Sequence, residues 1–256
     1  MGILSTSERH QIILKMLEDH DAVSVSSLSE KLKVSTVTVR KDLRLLESKG
    51  LLHRFHGGAS RDNPYINEIA ISEKEHIHAD EKSRIGEAAA KLINGDNAII
   101  IASGTTVLAF ARQIKPIHSL ITITSSLNVA LELNKHVDLE VIQLGGILRK
   151  SSFSVTGPYG EGMLNQFSCS KLFIGVDGLS LDFGITTASI QEAHLNQKMM
   201  ESAQKTIVLT DSSKFGKRGF GKICDLEEID TIITDSAAPD QYIKALEEMG
   251  VEIVLV

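Results

Sequence analysis

One stretch sets the architecture of the first part of this chain: Val34-Ser35-Thr36-Val37-Thr38-Val39-Arg40-Lys41-Asp42-Leu43-Arg44-Leu45-Leu46-Glu47. It predicts a helix of more than three turns. The hydroxyl of Ser35 is suited to accept the backbone N–H three residues further on, as an N-cap does. Val39, Leu43 and Leu46 recur at the spacing of one helical face, so we expect these side chains to point into a small core.

The opposite face of this predicted helix is basic. It carries hydroxyl, branched apolar and cationic side chains at Thr36, Val37, Arg40, Lys41 and Arg44. Such groups contact base edges and phosphates in the major groove of DNA. Taken alone, this stretch is also compatible with a basic surface helix that contacts only solvent. The segments on either side of it decide between the two interpretations.

The segments before this helix predict a helix-turn-helix. Residues 7–17 have helical periodicity, and residues 23–25 alternate like a short strand. Ser27 and Glu30 have the spacing of a capping box that opens a second helix, and Lys33-Val34 gives the turn into the basic helix. A short helix, a tight turn and a longer basic helix together form the motif.

The residues after the basic helix predict a β-hairpin. Gly50 ends the helix, and residues 51–59 contain two short strands around a Gly57-Gly58 turn. This hairpin forms a wing, on which Arg54 is placed to meet a backbone phosphate. The assembled winged helix-turn-helix, residues 1–61, is more specific than any of its parts and indicates double-stranded operator DNA as a partner.

The composition is that of an ordinary globular protein. The chain has 256 residues, 42% hydrophobic and 23% charged, enough for one domain of ordinary size and one small domain. No apolar run approaches membrane-spanning length, so no membrane partner is expected. Cys169 and Cys224 lack disulfide or metal spacing, which is typical of a reducing cytosol. His76 and His78 face different sides of a helix, and we expect neither a metal nor a cofactor.

The charge is distributed unevenly along the chain. Residues 1–61 hold 10 Lys or Arg against 7 Asp or Glu, a balance of +3. The remaining residues hold 17 against 26, a balance of −9, which gives the net charge of −6. A basic small domain and an acidic large one are typical of a local nucleic-acid surface.

Alternating helix and strand patterns begin at Asp80. Apolar, β-branched runs occur at 98–102, 120–124, 139–144, 172–176, 206–210, 231–234 and 251–256, and helical patterns fall between many of them. Strands buried on both faces with intervening helices predict a mostly parallel α/β sheet for residues 80–256. Residues 62–79, turn-rich at first and then predicted to be helical at 69–78, form the connector.

Ligands of parallel sheets bind beyond the carboxyl ends of the strands. Successive strand ends here carry Gly104, Thr105 and Thr106; Ser125 and Ser126; Gly145 and Gly146; Asp177; and Lys214. Glycines and hydroxyls at helix starts suit phosphate oxygens, an Asp accepts sugar hydroxyls and a Lys pairs with an anion. Turn chemistry explains each loop taken alone, so it is their convergence on one edge that favours a ligand.

Taken together, the N-terminal segments resemble the DeoR family of bacterial transcription regulators. The similarity is carried by Ser7-Glu8-Arg9, Val34-Ser35, residues 38–43, Leu46-Glu47, Gly50 and residues 56–59, and it continues to the C-terminus. It implies a winged helix-turn-helix joined to a sugar-phosphate sensor whose fold is similar to ribose-5-phosphate isomerase. It also implies that the basic helix is the recognition helix, with DNA-binding residues at Ser35, Thr36, Thr38, Arg40, Lys41 and Arg44.

The same resemblance extends to the sensor. Its motifs match Gly104-Thr105-Thr106, Thr124, Gly145-Gly146, Asp177 and residues 212–215. The family often has Asp where Ala102 stands and Asn where Ser125 stands, and each difference removes a possible polar contact to a sugar. Residues 35–40, 173–177, 192–196 and 250–256 are similar to regulators of N-acetylgalactosamine and related amino-sugar pathways.

The expected function is a DNA-binding repressor, dimeric or tetrameric, that a phosphorylated sugar releases from its operator. An activator has the same sequence features. The alternative from another class is a sugar-phosphate isomerase with a DNA-binding appendage. Isomerisation needs a base and acid groups, and isomerases of the similar fold carry two acids and a Lys in a Gly-rich segment. Asp177-Gly178-Leu179-Ser180 supplies one acid, so we expect ligand binding without turnover and no catalytic residue.

Overall fold

The computed structural model of this chain describes residues 4–19, 22–55, 57–61, 70–93, 95–115 and 119–256. The chain divides into two units, Met1–Tyr65 and Ile66–Val256. The predicted boundary after Arg61 falls at residues 62–69, which lie outside the described residues. The limits 1–61, 62–79 and 80–256 therefore stay a prediction.

The described part of the first unit is a winged helix-turn-helix, as predicted. Its elements are α1 (Thr6–Asp19), β1 (Ala22–Ser24), α2 (Val25–Leu32), α3 (Thr36–Ser48), β2 (His53–Phe55) and β3 (Gly58–Ser60). The strands pair antiparallel in the order β1-β3-β2. Ile13, Leu28, Leu43 and Leu46 are at most 1% exposed and pack the three helices around one core.

The start of α2 differs from the prediction. The helix begins at Val25, and its N-cap is Ser24, whose hydroxyl accepts the N–H of Ser27 at 3.0 Å. The predicted capping box of Ser27 and Glu30 is therefore wrong by one helical turn, and Val25 belongs to the helix instead of the strand. The reason is that Ser24, the last residue of β1, has the extended backbone that an N-cap needs.

The second unit is built on a parallel sheet with helices between its strands. Its helices are α4 (Ile71–His76), α5 (Ala79–Ala90), α6 (Thr105–Ala111), α7 (Leu127–Leu133), α8 (Pro158–Leu164), α9 (Ile190–Glu201) and α10 (Asp240–Glu248). Its strands are β4 (Ala98–Ile101), β5 (Leu120–Thr124), β6 (Leu139–Gln143), β7 (Ile147–Arg149), β8 (Ser154–Thr156), β9 (Cys169–Gly175), β10 (Gly178–Ser180), β11 (Gly184–Thr187), β12 (Ala203–Leu209), β13 (Gly221–Cys224), β14 (Thr231–Thr234) and β15 (Glu252–Leu255).

Seven of these strands form the main sheet, in the order β15-β14-β12-β9-β4-β5-β6. Every neighbouring pair in this sheet is parallel, which confirms the predicted fold class. Each face of the sheet is covered by its own hydrophobic cluster. Phe110 and Phe173 are both fully buried in one of the two clusters, and the centroids of their rings lie 4.4 Å apart.

The sequence patterns did not predict two small antiparallel sheets of the second unit. Strands β7 and β8 form a hairpin, and β10, β11 and β13 form a second small sheet. The strands are three or four residues long, too short to give a clear alternation.

The predicted connector helix at 69–78 is shorter in the structure. Of that stretch, Ile69 lies outside the described residues, and α4 covers Ile71–His76. His78 has a left-handed backbone, with φ of 53°, directly before α5. Across the described residues, no helix has the length and apolar character that crossing a membrane requires.

Candidate functional site

The exposed face of α3 is the first candidate site. Ser35 caps the helix by accepting the N–H of Thr38 at 3.2 Å, as predicted, and the two hydroxyl oxygens lie 3.0 Å apart. Thr36, Arg40, Lys41 and Arg44 are exposed, and so is Val37, at 71%. The three cationic side chains form no ion pair or hydrogen bond with any described residue, so their charges are available to a polyanion.

Asp42 has a role that its position in the motif did not reveal. It is 3% exposed, and its carboxylate accepts two hydrogen bonds from the guanidinium of Arg9 in α1, at 2.7 and 3.0 Å. Hydrogen bonding of its guanidinium to Asp42 raises the pKa of Arg9. The Arg9 guanidinium also donates to the carbonyl of Leu4 at 2.9 Å. This fork holds α3 in a fixed orientation against α1, so Arg9 and Asp42 position the basic face.

Arg54 of the wing is already engaged inside the first unit. Its backbone N–H donates to one carboxylate oxygen of Glu47 at 3.0 Å, and its Nε lies 3.3 Å from the other. These contacts tie β2 to α3. Glu47 partly neutralises the charge of Arg54, and this ion pair would weaken a contact between Arg54 and a backbone phosphate. The phosphate contact itself stays a prediction.

The loops predicted to bind a ligand lie at one edge of the main sheet. Because all strands of the sheet are parallel, the carboxyl ends of β12, β9, β4, β5 and β6 follow one another along that edge. They carry Lys214, Asp177, Gly104 to Thr106, Thr124 to Ser126, and Gly145 with Gly146. A side chain at Gly175, the last residue of β9, would lie 3.5 Å from the carbonyl oxygen of Ser103, so the β4 and β9 ends are in close contact.

Asp177 is held by three donors. Lys74 of α4 lies 2.5 Å from its Oδ1, and Thr187 and the backbone N–H of Ala188 donate to its Oδ2 at 3.0 and 2.9 Å. Burial acts to raise the pKa of Asp177, but Lys74 and the hydrogen bonds outweigh it and lower the pKa. Asp177 is therefore a fixed carboxylate, and 103 residues separate it from its partner Lys74.

Lys214 lies half-buried beside this pair. Burial lowers the pKa of Lys214, Asp211 acts to raise it and Lys74 lowers it further. The Lys214 ammonium has no hydrogen-bond partner among the described residues. Asp211 is 1% exposed, and its Oδ2 has no partner there either. Buried polar atoms are ordinarily hydrogen-bonded, so this cluster has the capacity to take further polar contacts.

The hydroxyls at the β4 and β5 ends divide into two groups. Thr124 and Ser126 use theirs locally, accepting the N–H of Ser126 at 3.1 Å and of Val129 at 3.3 Å. Thr105 and Thr106 are 9% and 8% exposed, Ser125 is 2% exposed, and none of their hydroxyls is bonded to a described residue. Gly104, with φ of 132°, places the two threonines at the start of α6.

Of the two glycines that follow β6, Gly146 has a structural explanation. At Gly146, where φ is 153°, an added Cβ would lie 2.5 Å from the carbonyl oxygen of Thr156. Gly145 contributes its carbonyl to a close approach with Gly160, whose added Cβ would lie 2.9 Å from it. The close approach to Thr156 therefore requires glycine at position 146. At Gly145 an added Cβ would meet only the sulfur of Met163, at 3.9 Å, so packing does not require glycine there.

A polar network links the β5 end to Asp177, and its central residue is Glu192. Ser154 donates to Glu192 at 2.9 Å, and the Nε of Arg149 lies 3.4 Å from the same carboxylate. Thr187, which also contacts Asp177, lies 3.4 Å from the other carboxylate oxygen. The backbone of Ser154 in turn forms an isolated antiparallel β-bridge with that of Ser126. Among the described residues, no cluster of His, Cys, Asp and Glu is arranged to hold a metal ion.

Comparison with known proteins assigns a family to each unit. Residues 9–64 match the DeoR-like helix-turn-helix domain, and residues 77–236 match the DeoR C terminal sensor domain. A putative aga operon transcriptional repressor from Escherichia coli O157:H7 is 37% identical over 99% of this chain and 95% of its own length. The HTH-type transcriptional repressor GlcR from Bacillus subtilis is 32% identical over 97% of this chain and 95% of its own length.

Solved structures are similar to part of this chain. Ribose 5 phosphate isomerase A from Neisseria gonorrhoeae overlaps with 53% of this chain and 53% of its own, at a TM-score of 0.39 and 17% identity.

Proposed function

The chain belongs to the DeoR family of transcription regulators, and on that premise we propose that it is a sequence-specific DNA-binding repressor of a carbohydrate operon, released by a phosphorylated sugar. The observation that carries this proposal is the face of α3. Arg40, Lys41 and Arg44 are exposed and form no ion pair or hydrogen bond with the described residues, on a helix that Arg9 and Asp42 hold in place. A fixed array of free cations is what docking into a major groove requires.

The edge of the main sheet supports the phosphorylated sugar as effector. Lys214 supplies a half-buried cation, and Thr105, Thr106 and Ser125 supply buried hydroxyls without a described partner. A phosphate would satisfy these donors, while the neighbouring Asp177 and Asp211 suit sugar hydroxyls. The sequence similarity to amino-sugar regulators makes an amino-sugar phosphate the first compound to test.

Two recognition helices are needed to read a palindromic operator, so the proposal includes a homo-oligomer. A dimer or tetramer would place its helices in half-sites about one helical turn apart. The effector then needs only a difference in affinity between the arrangement that spans two half-sites and one that does not.

The state of Asp177 argues against turnover. A general base for aldose–ketose isomerisation works best with a pKa near neutrality. Lys74 and two further donors lower the pKa of Asp177 instead, which makes it a weak base. We therefore propose that the sheet edge binds a sugar phosphate and releases it unchanged; measured isomerisation of a pentose or hexose phosphate would contradict this.

The test is fluorescence anisotropy of the full chain on labelled DNA from upstream of its own gene, with a scrambled duplex as control. Each titration is repeated with N-acetylgalactosamine 6-phosphate, other hexose phosphates and their unphosphorylated sugars. We expect tight, salt-sensitive binding to the specific duplex that one phosphorylated sugar weakens and its unphosphorylated counterpart does not. Equal binding to both duplexes would contradict the DNA-binding part of the proposal, and indifference to every sugar phosphate would contradict the effector part.

A further inference from the structure

We propose that Lys74 contacts the phosphate of the effector and couples the sheet edge to the DNA-binding unit, because a bound phosphate draws the Lys74 ammonium from Asp177 and thereby releases α4. The inference rests on the proposed function. It assigns a role to a residue that none of the sequence motifs included, and it identifies the element that moves.

The location of α4 in the chain makes it suited to this role. It begins at Ile71, and the first unit ends at Tyr65, so only a few residues of chain separate the two. Among the described helices and strands of the second unit, α4 is therefore the one nearest in sequence to the DNA-binding unit.

The position of α4 depends on contacts with the rest of the second unit. A helix of six residues has little stability of its own, and Ala70 at its N-cap provides no side-chain hydrogen bond. Its first N–H, that of Ile71, donates to the carbonyl of Ser151 at 2.8 Å. At its other end, the buried ammonium of Lys82 donates to the carbonyls of Lys74 and Ile77, each at 2.5 Å. Along the helix, the Ile71 side chain is buried and Glu75 pairs with Arg112 at 2.7 Å. Because so short a helix depends on these tertiary contacts, the loss of the Lys74 contact changes its position or its stability.

Of the contacts that hold α4, the Lys74–Asp177 pair lies at the edge of the main sheet where we propose that the ligand binds. Their side chains are 23% and 15% exposed, so water screens this ion pair less than it screens a surface pair. The positive charge of Lys74 contributes to the lowered pKa of both Lys214 and Lys82, which means that the three ammonium groups lie within electrostatic range of one another. An anion bound between Lys74 and Lys214 relieves that repulsion.

A phosphate at this position competes directly with Asp177. The ammonium of Lys74 is drawn toward whichever anion is closer and more strongly charged, and a phosphate monoester carries up to two negative charges at neutral pH. A ligand shifts a conformational equilibrium only if it interacts differently with the two states. Contacts to Lys214 and Thr105 alone leave α4 as it is, whereas a contact to Lys74 depends on whether the pair with Asp177 is intact.

The experiment compares Lys74→Met with the wild-type chain and two controls. Lys74→Arg keeps the cation, and Lys244→Met removes an exposed lysine of α10 that forms no hydrogen bond or ion pair with the described residues. For each protein, operator affinity is measured by anisotropy with and without N-acetylgalactosamine 6-phosphate, or the hexose phosphate that proves active on the wild type. Binding of the same sugar phosphate is measured separately by calorimetry.

We expect the sugar phosphate to weaken operator binding by about tenfold or more in the wild type, Lys74→Arg and Lys244→Met, and by less than about twofold in Lys74→Met. Hydrogen exchange provides a structural readout: the sugar phosphate should accelerate exchange in peptides that cover α4 in the wild type and leave them unchanged in Lys74→Met. A role in folding alone would not produce this difference between liganded and unliganded protein.

The outcomes separate the two proposals. If no sugar phosphate affects the wild type, the proposed effector function fails. If the wild type responds and Lys74→Met responds equally, the coupling role of Lys74 is overturned while the proposed function stands. Should Lys74→Met fail to fold, Asp177→Asn weakens the same pair from the other side, and a full wild-type response in that variant overturns the inference as well.

Discussion

The two units use their cations in opposite ways. On α3, Arg40, Lys41 and Arg44 are exposed and form no ion pair or hydrogen bond with described residues. At the sheet edge, Lys74 is paired with Asp177 at 2.5 Å, and Lys214 is half-buried with a lowered pKa. Hydrated cations on a rigid helix suit a long polyanion that replaces counterions, and partly dehydrated cations in a pocket suit one small anion. The difference indicates that burial of the cations, more than their number, distinguishes the two proposed anion sites.

The units also have separate hydrophobic cores, and the largest expected effect tests this separation. Phe173 is fully buried against Phe110, so Phe173→Ala should destabilise the second unit by about 3–5 kcal/mol. Hydrogen exchange of the full chain should show faster exchange in peptides from the sheet and none of this acceleration in peptides from α1 to α3. Phe220→Ala is the matched control, since Phe220 is 80% exposed and its loss should cost less than about 0.5 kcal/mol. Equal acceleration in both units would mean that the two cores are coupled.

The second prediction concerns the one buried ion pair that orients the basic face. Asp42→Ala leaves the guanidinium of Arg9 without its carboxylate and should destabilise the first unit by about 2–3 kcal/mol. Operator affinity should fall together with this stability, although Asp42 itself is buried. Lys41→Ala, one residue earlier and exposed, should leave thermal stability unchanged. If both variants melt alike in calorimetry, the fork does not anchor α3.

The third prediction distinguishes a base contact by Arg40 from a phosphate contact by Lys41 on the exposed face of α3. Arg40→Ala should cost about 1–3 kcal/mol of operator affinity and relax the preference over a scrambled duplex if Arg40 contacts a base. Lys41→Ala should weaken both duplexes alike and reduce the salt dependence by about one counterion if Lys41 contacts only phosphate. Anisotropy at several salt concentrations distinguishes the two, and an Arg40→Ala protein with unchanged selectivity would contradict the base contact.

The smallest effect expected is a pH dependence found in one unit only. A phosphate favours the charged form of Lys214, so sugar-phosphate affinity should be constant below the lowered pKa of this lysine and fall as the pH rises through it, by up to about tenfold per pH unit. Lys214→Arg should abolish the decline, because a guanidinium remains charged. Calorimetry from neutral to alkaline pH measures this. Since the α3 face uses exposed cations, including two arginines, specific DNA binding should be less sensitive over the same range.

Local patterns predicted the elements well where the signal lies within one helix or strand. Ser35 was identified as the cap of α3, and the Val39, Leu43 and Leu46 face is buried as expected. The cap of α2 was misplaced because several serines follow one another near Ser24, and only the end of β1 decides which of them caps the helix.

The contacts that organise the candidate sites are long-range and had no local signal. Arg9 and Asp42 are 33 residues apart, and Lys74 and Asp177 are 103 residues apart. No spacing rule links residues at such separations, because only the packing of α1 on α3 and of α4 beside β9 brings them together. Arg54 illustrates the converse, since its position in the wing was predicted and its partner Glu47 was not.

The placement of β9 in the middle of the main sheet has a consequence for how the newly made chain acquires structure. Its neighbour β4 is synthesised some seventy residues earlier, as the pairing of Ile99 with Lys171 illustrates, and β12 is synthesised later. Parallel pairing over such separations is slow, whereas all strand pairs of the first unit lie within residues 22–60. We therefore expect the first unit to fold while the sheet is still being translated. For that interval, we expect the growing chain to carry a finished helix-turn-helix surface and to lack the sheet edge at which we propose that the effector binds.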